Sequence, residues 1–321
     1  MTLFLDERCV ADLVDMDDAL DAVEEAFCAA GNGSAINVPR VRAPLRDGTL
    51  RITAAVLQYR GYYGVKVSSS TVFRSNAGRV FNLYKEDTGE LCAVVQVFGL
   101  GALRTGATSG VATRHLANED ATVLGVIGTG RQARTQVSAI CRVRTIREIR
   151  VFSRTPQNRA RFCAEVARDG MPATGVDAAE YAVRDCDVVV TATTATAPVV
   201  LGHWLASGTH VNAVGANYEH RRELDTEVVT RANVIATDDR DQARYEAADL
   251  AIPVAEGSLG WDRVRGLDEI LAGSAPSRTT PDDITLFKSL GVALGDVALA
   301  ARAYETALRR GVGQQLPDLS A

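Results

Sequence analysis

Leu13, Leu20, Val23, Ala26, Phe27 and Ala30 recur at helical spacing behind the acidic run Asp15-Met16-Asp17-Asp18, and Gly31-Asn32-Gly33 ends the pattern. This predicts an amphipathic opening helix. From Pro39 to Gly99 the period shortens. Runs of β-branched and aromatic residues at 41–45, 50–58, 62–68, 80–85 and 91–98 are separated by polar turns such as Arg46-Asp47-Gly48 and Asp87-Thr88-Gly89, the pattern of an antiparallel meander. After a helical stretch at 103–116 the chain alternates. Strand patterns at 122–127, 148–152, 188–192, 209–214 and 234–237 are interleaved with helical ones such as 132–141 and 157–168. The expected fold is therefore α/β. A Rossmann-type, doubly wound parallel sheet occupies residues 116–291, and an N-terminal α+β domain with an antiparallel sheet occupies 1–115. A last long helix at 292–310 is expected to return to the first domain, so that 292–321 completes it.

Within the alternating half, residues 124–136 read Leu-Gly-Val-Ile-Gly-Thr-Gly-Arg-Gln-Ala-Arg-Thr-Gln: a strand end, a glycine turn and a helix start. Gly128 suits the tight turn, Gly130 lets the backbone approach a pyrophosphate, and Ala133 is small enough for the helix to pack on its strand. Thr129, Arg131 and Gln132 share that turn, whose N–H groups would hold phosphates. One glycine fingerprint also fits an ordinary turn, and it is the surrounding alternation that favours a dinucleotide. The next strand ends Val151-Phe152-Ser153-Arg154-Thr155, with no carboxylate at its tip to accept from a ribose 2′-hydroxyl. Arg154 is suited to a 2′-phosphate, with Ser153, Thr155 and Asn158 as donors. NADP(H) is expected in preference to NAD(H), whose use stays open.

Composition narrows the class. The chain has 321 residues, 46% hydrophobic and 23% charged, with a net charge of −5. That is the balance of a soluble globular protein without the basic surface that draws nucleic acid or an anionic membrane. No apolar run approaches a spanning helix and the N-terminus lacks a signal-peptide layout, so the expected location is cytoplasmic. The six cysteines are scattered with no metal-like spacing and read as reduced core thiols. His115, His203, His210 and His220 form no ligand pattern, and no metal is expected. Asp238-Asp239-Arg240-Asp241 reads as a helix start. Lysine is scarce: Lys66, Lys85 and Lys288 stand against 32 arginines among the 35 basic residues. A position that keeps lysine in such a chain invites the question of whether an ammonium is needed there.

Three basic residues are candidates for the chemistry. A substrate carboxylate suits a guanidinium, for which Arg40 on the meander and Arg104 on the following helix are candidates. Hydride addition to a C=N carbon needs a protonated nitrogen, and Lys66 is the candidate to supply or hold that proton. The alternative for each is a surface charge on a strand or helix face.

Six separated strings together resemble the ornithine cyclodeaminase/mu-crystallin family. They are Arg104-Thr105-Gly106-Ala107-Thr108-Ser109, the glycine fingerprint, Thr191-Ala192-Thr193, Val211-Asn212-Ala213-Val214-Gly215, Arg222-Glu223-Leu224-Asp225, and Thr285-Leu286-Phe287-Lys288-Ser289-Leu290-Gly291. The resemblance implies a homodimer joined through the N-terminal sheet, with the active site in the cleft between the domains. It also implies that Lys66 is the active-site lysine. On the same basis Thr105, Thr191, Ala192, Thr193, Val214 and Lys288 lie at the cofactor, although Lys288 also fits an ordinary helix-start lysine. Ornithine cyclodeaminases carry two further active-site acids, and this chain departs from them. Thr53 and Asn217 stand where those acids would be, as a substrate-site and a catalytic-site residue respectively. Glu219, two residues on, is the candidate substitute. The expected function is thus an NADP(H)-dependent reduction of an α-imino acid (ketimine) to an L-amino acid, or the reverse dehydrogenation. A cyclodeaminase with bound NAD(H) and a non-catalytic small-ligand binder are the alternatives.

Overall fold

The computed structural model describes residues 2–70 and 79–317. In chain order the elements begin β1 (Leu3–Leu5), α1 (Glu7–Leu13), α2 (Met16–Gly31), β2 (Ala35–Leu45), β3 (Gly48–Leu57), β4 (Tyr62–Ser69), β5 (Val80–Lys85), β6 (Leu91–Gln96) and α3 (Phe98–Leu116). They continue β7 (Val123–Ile127), α4 (Arg131–Val143), β8 (Glu148–Phe152), α5 (Pro156–Arg168), β9 (Ala173–Gly175), β10 (Val188–Thr191), β11 (His210–Ala213) and α6 (Thr226–Arg231). The rest are β12 (Val234–Thr237), α7 (Arg240–Glu246), α8 (Ala248–Ala255), β13 (Val264–Gly266), α9 (Leu267–Leu271), β14 (Thr285–Lys288), α10 (Ala293–Arg310) and β15 (Gln314–Gln315). The chain divides into two units, Met1–Arg104 with Val292–Ala321, and Thr105–Gly291. The first boundary falls inside α3, not after it as the sequence suggests. From Thr105 onward that helix packs on α4: Gln136 Nε2 donates to Thr105 O at 3.2 Å, and a side chain at Gly106 would collide with the Thr135 backbone.

In the first unit the described strands form one sheet in the order β15-β1-β6-β5-β4-β3-β2, antiparallel except where β1 runs parallel to β6. Alternation decides its faces. Ala55, Leu57, Phe81, Leu83, Ala93 and Val95 are buried, and α2 and α10 pack on the sheet. The opening helix α2 starts with a capping box: Asp15 accepts from the Asp17 and Asp18 N–H groups, and Asp18 accepts from Asp15 N. The expected return of the last helix is seen in α10, which lies against α2, β3 and β4.

The second unit is an all-parallel sheet in the order β13-β12-β14-β11-β10-β7-β8-β9 among the described residues. Strand order reverses between β7 and β10, the topological switch point where α/β sheets take ligands. Strands β10, β11, β12 and β14 are buried along their whole length, which follows from helices covering both faces. Of Asp238 to Asp241, Asp239 caps α7 as expected, whereas buried Asp238 accepts from the Leu290 and Gly291 N–H groups after β14.

Candidate functional site

In the first unit, β2 bulges between Val38 and Val41, so that Pro39 and Arg40 together face Thr53 of β3. Such a bulge re-aims a side chain. Thr53 in turn pairs with Lys66 of β4, which puts Arg40, Thr53 and Lys66 in a row across three strands. Thr53 shares the buried face of Ala55 and Leu57, the face that α10 covers. From that helix Asp296 meets the row. One carboxylate oxygen accepts from Arg104 Nε at 2.9 Å and the other forms an ion pair with Lys66 Nζ. Burial pushes the Lys66 ammonium below the usual lysine value; Asp296 opposes the shift, and Arg104 and Arg40 add to it. Burial would raise the Asp296 carboxyl, but Arg104 and Lys66 hold it below the usual carboxylate value. The Thr53 hydroxyl is buried without a hydrogen-bond partner among the described residues. Sequence reasoning missed Asp296, because an acid in the first turn of a helix is commonplace.

In the second unit, Gly128 turns the chain at φ 111°, and an added Cβ there would lie 2.4 Å from Ala192 O. Gly130, the N-cap of α4, has no side-chain cap, and a Cβ there would enter open space. Gln132 Oε1 is buried with no partner among the described residues, and Thr129 Oγ1 donates to Ser153 Oγ at 3.3 Å, joining the turn to the tip of β8. Arg131 begins α4, and Ala133 is buried on its inner side as expected. An open helix start, a glycine cradle and an orphaned polar atom fit a pyrophosphate. At the β8 tip Arg154, Thr155 and Asn158 are exposed. The sequence analysis overlooked Arg159, whose guanidinium donates to Ser153 O and to Asp177.

Behind the ends of β10 and β11 lies a second network. Buried Glu223 accepts from Thr191 Oγ1 (2.9 Å), Thr193 N (2.8 Å), Thr193 Oγ1 (2.7 Å) and Gly215 N (2.6 Å). Burial raises its carboxyl, and Lys288 opposes that rise. Lys288 is not a helix-start residue. It ends β14, has no exposed side-chain surface, and pairs with Asp249 at 2.9 Å. Asp249 accepts from the Glu223 and Leu224 N–H groups. The side chains of Lys288 and Thr191 are thus engaged by Asp249 and Glu223 inside this unit, where they shape the loops after β10 and β11. Ala192 and Val214 contribute backbone there, through Ala192 N to Ile127 O and Val214 N to Thr191 O. Asn217 Nδ2 lies 3.5 Å from Leu290 O, and Glu219 is exposed. Among the described residues no group of three or more His, Cys, Asp or Glu is placed to hold a metal, and no helix is long and apolar enough to cross a membrane.

Residues 1–311 match the Ornithine cyclodeaminase/mu-crystallin family. An alanine dehydrogenase of Archaeoglobus fulgidus is 36% identical over 321 residues, 98% of each chain. A Δ1-pyrroline-2-carboxylate reductase of Thermococcus litoralis, solved in complex with NADH and L-proline, is 34% identical. It superposes with a TM-score of 0.92 over 98% of this chain and 100% of that one. An archaeal alanine dehydrogenase dimer with bound NAD is 35% identical, with a TM-score of 0.92 over 98% of each chain.

Proposed function

The chain belongs to the ornithine cyclodeaminase/mu-crystallin family, and we propose that it is a nicotinamide-dependent oxidoreductase interconverting an α-imino acid and the corresponding L-amino acid. The observation that carries this reading is the Lys66 ammonium held by Asp296 beside Arg104 and Arg40, with neutral Thr53 next to it. Arg104 and Arg40 anchor the substrate carboxylate. Lys66 holds the proton at the imine nitrogen, and the Thr53 hydroxyl, which has no partner among the described residues, takes a polar substrate atom. A bound nicotinamide supplies the hydride in reduction and takes it in the reverse direction. The residues that would hold it are the turn at Gly128, Thr129 and Gly130 with the start of α4, and the β8 tip. Ser153, Arg154, Thr155 and Asn158 favour NADP(H) over NAD(H). That an alanine dehydrogenase and a Δ1-pyrroline-2-carboxylate reductase are among the relatives supports the same reaction class. A cyclodeaminase would also have to handle a second, cationic amine, and Thr53 and Asn217 offer no carboxylate for it. A cytoplasmic homodimer completes the proposal, supported for the dimer by the dimeric relative.

The test is oxidation of NADPH and NADH across a panel of 2-oxo acids with ammonia or methylamine, and of cyclic imines. Turnover is expected with at least one member, and Lys66→Ala lowers kcat by about two to four orders of magnitude while cofactor affinity holds. Proline and ammonia formed from L-ornithine without net cofactor turnover would overturn the reading in favour of a cyclodeaminase. Cofactor binding with no turnover on any substrate would make the protein a binder.

A further inference from the structure

We propose that Asp296 is a positioning residue of the substrate site, whose carboxylate keeps Lys66 in the ammonium form and fixes Arg104 beside it. The inference rests on the reading that Lys66 serves an α-imino acid. Asp296 is 1% exposed, and a carboxylate so deeply buried is tolerated only when paired. Its oxygens go to the side chains of Lys66 on β4 and Arg104 on α3, and the helix start it sits in does not need it, since Asn37 Oδ1 accepts from Ala293 N at 3.1 Å. Asp296 therefore does not cap its helix. Its partners lie 230 and 192 residues away in sequence.

The charges around Lys66 Nζ explain why an anion is required. Arg104 faces it from α3, Arg40 from the β2 bulge and Asp296 from α10, while β3 contributes the uncharged Thr53. Two guanidiniums and partial burial all favour loss of the ammonium proton. Among the described residues Asp296 is the anion that opposes them before substrate arrives, and a bound substrate carboxylate adds a second. Its influence is thus largest in the free enzyme, which is the state that the pH profile of kcat/KM reports. Nε is the guanidinium nitrogen that Asp296 engages, which also fixes the plane of the Arg104 fork.

Scarcity of lysine makes the ionisation directly measurable. Lys66 has 15% of its side chain exposed, Lys85 is exposed and Lys288 is fully buried. Trace acetylation of the full-length protein with acetic anhydride from neutral to alkaline pH, read at the Lys66 peptide by mass spectrometry with Lys85 as internal reference, gives the Lys66 titration without any turnover. In Asp296→Asn the Lys66 midpoint should fall by about one pH unit or more, and the alkaline limb of kcat/KM should fall with it. Asp296→Glu keeps the charge and should keep the midpoint. An unmoved midpoint and limb in Asp296→Asn, even with lowered activity, would reduce Asp296 to a structural residue and overturn the proposal. Should Asp296→Asn not fold, a fallen midpoint in Asp296→Glu overturns it equally. A wild-type protein that reduces no imino acid would refute the functional reading, while the labelling still decides the role of Asp296.

Discussion

Cofactor choice is expected to turn on Arg154. Its guanidinium is exposed at the tip of β8, where Thr155 and Asn158 are also exposed and Arg159 is fixed by Asp177 and Ser153 O. Removing it by Arg154→Ala should cost NADPH about 1 to 3 kcal/mol of binding, the scale of a charged hydrogen bond, and leave NADH nearly unchanged. Calorimetric titration of both cofactors checks this, and equal losses would contradict it. His210 offers a second residue-scale prediction. Burial, helped by Arg278 and opposed by the Asn212 side chain, pushes its imidazole down from 6.5 to about 3, and Nδ1 meets Thr285 Oγ1 at 2.8 Å. Because the folded value lies below the unfolded one, the unfolded chain binds the extra proton between them. Stability therefore falls as pH drops below about 6.5, with a limiting slope of about 1.4 kcal/mol per pH unit. Between pH 7 and pH 5, urea unfolding of His210→Gln should show about 2 kcal/mol less acid loss than wild type. An identical loss would assign the effect to another group. Lys66, Arg40 and Thr53 were named in sequence from the scarcity of lysine, the chemistry of a carboxylate and the family resemblance, while the meander pattern placed them on strands without fixing their register. Asp296 and Glu223 were not, since each acquires its meaning from partners far along the chain.

The turn from β7 into α4 allows two glycines to be told apart. Gly128 sits at φ 111° with Ala192 O in the way of any Cβ, so Gly128→Ala strains the backbone itself and should cost about 1 to 3 kcal/mol of stability as well as cofactor binding. Gly130 has φ −81° and open space where a Cβ would go. Gly130→Ala should therefore melt like wild type yet lose about tenfold or more in NADPH affinity, since the methyl would occupy room proposed for a phosphate. Thermal unfolding and cofactor titration of the two variants separate strain from obstruction. Unchanged affinity in Gly130→Ala would remove the turn from the cofactor site. Strands with clear boundaries, such as β8 and β12, could be read directly from their apolar runs. The sequence reading missed β9 and β13, which are three residues each, and β14, whose terminal Lys288 argues against a buried strand until its partner Asp249 is seen.

At the scale of the whole molecule, the first unit's sheet poses the remaining question, because one of its faces is apolar and, among the described residues, uncovered. Cross-strand pairs Ile36–Val56, Val38–Ala54, Val41–Ile52, Ile52–Val67 and Ala54–Val65 line the face opposite Ala55 and Leu57, and Tyr63 stacks on Tyr84 at 5.0 Å. Val67 is 58% exposed, Val41 54% and Ile36 48%. Antiparallel sheets that end in water alternate apolar with polar residues, and contiguous apolar patches on that scale mark association sites. A second copy of the chain is the proposed occupant, in line with the dimeric relative, and two-fold symmetry would place the same patch on both sides of the contact. Light scattering should then give twice the chain mass of 34.2 kDa across a micromolar dilution series. Val67→Glu buries a carboxylate on each side of such an interface. Removing a charge from water without a partner costs several kcal/mol, enough to raise the dimer dissociation constant by a hundredfold or more, by about 3 kcal/mol. The variant should dissociate within the dilution range while keeping NADPH affinity, since the proposed cofactor residues lie in the other unit. A wild-type mass of one chain, or a Val67→Glu protein as dimeric as wild type, would show that this face is not where two copies meet.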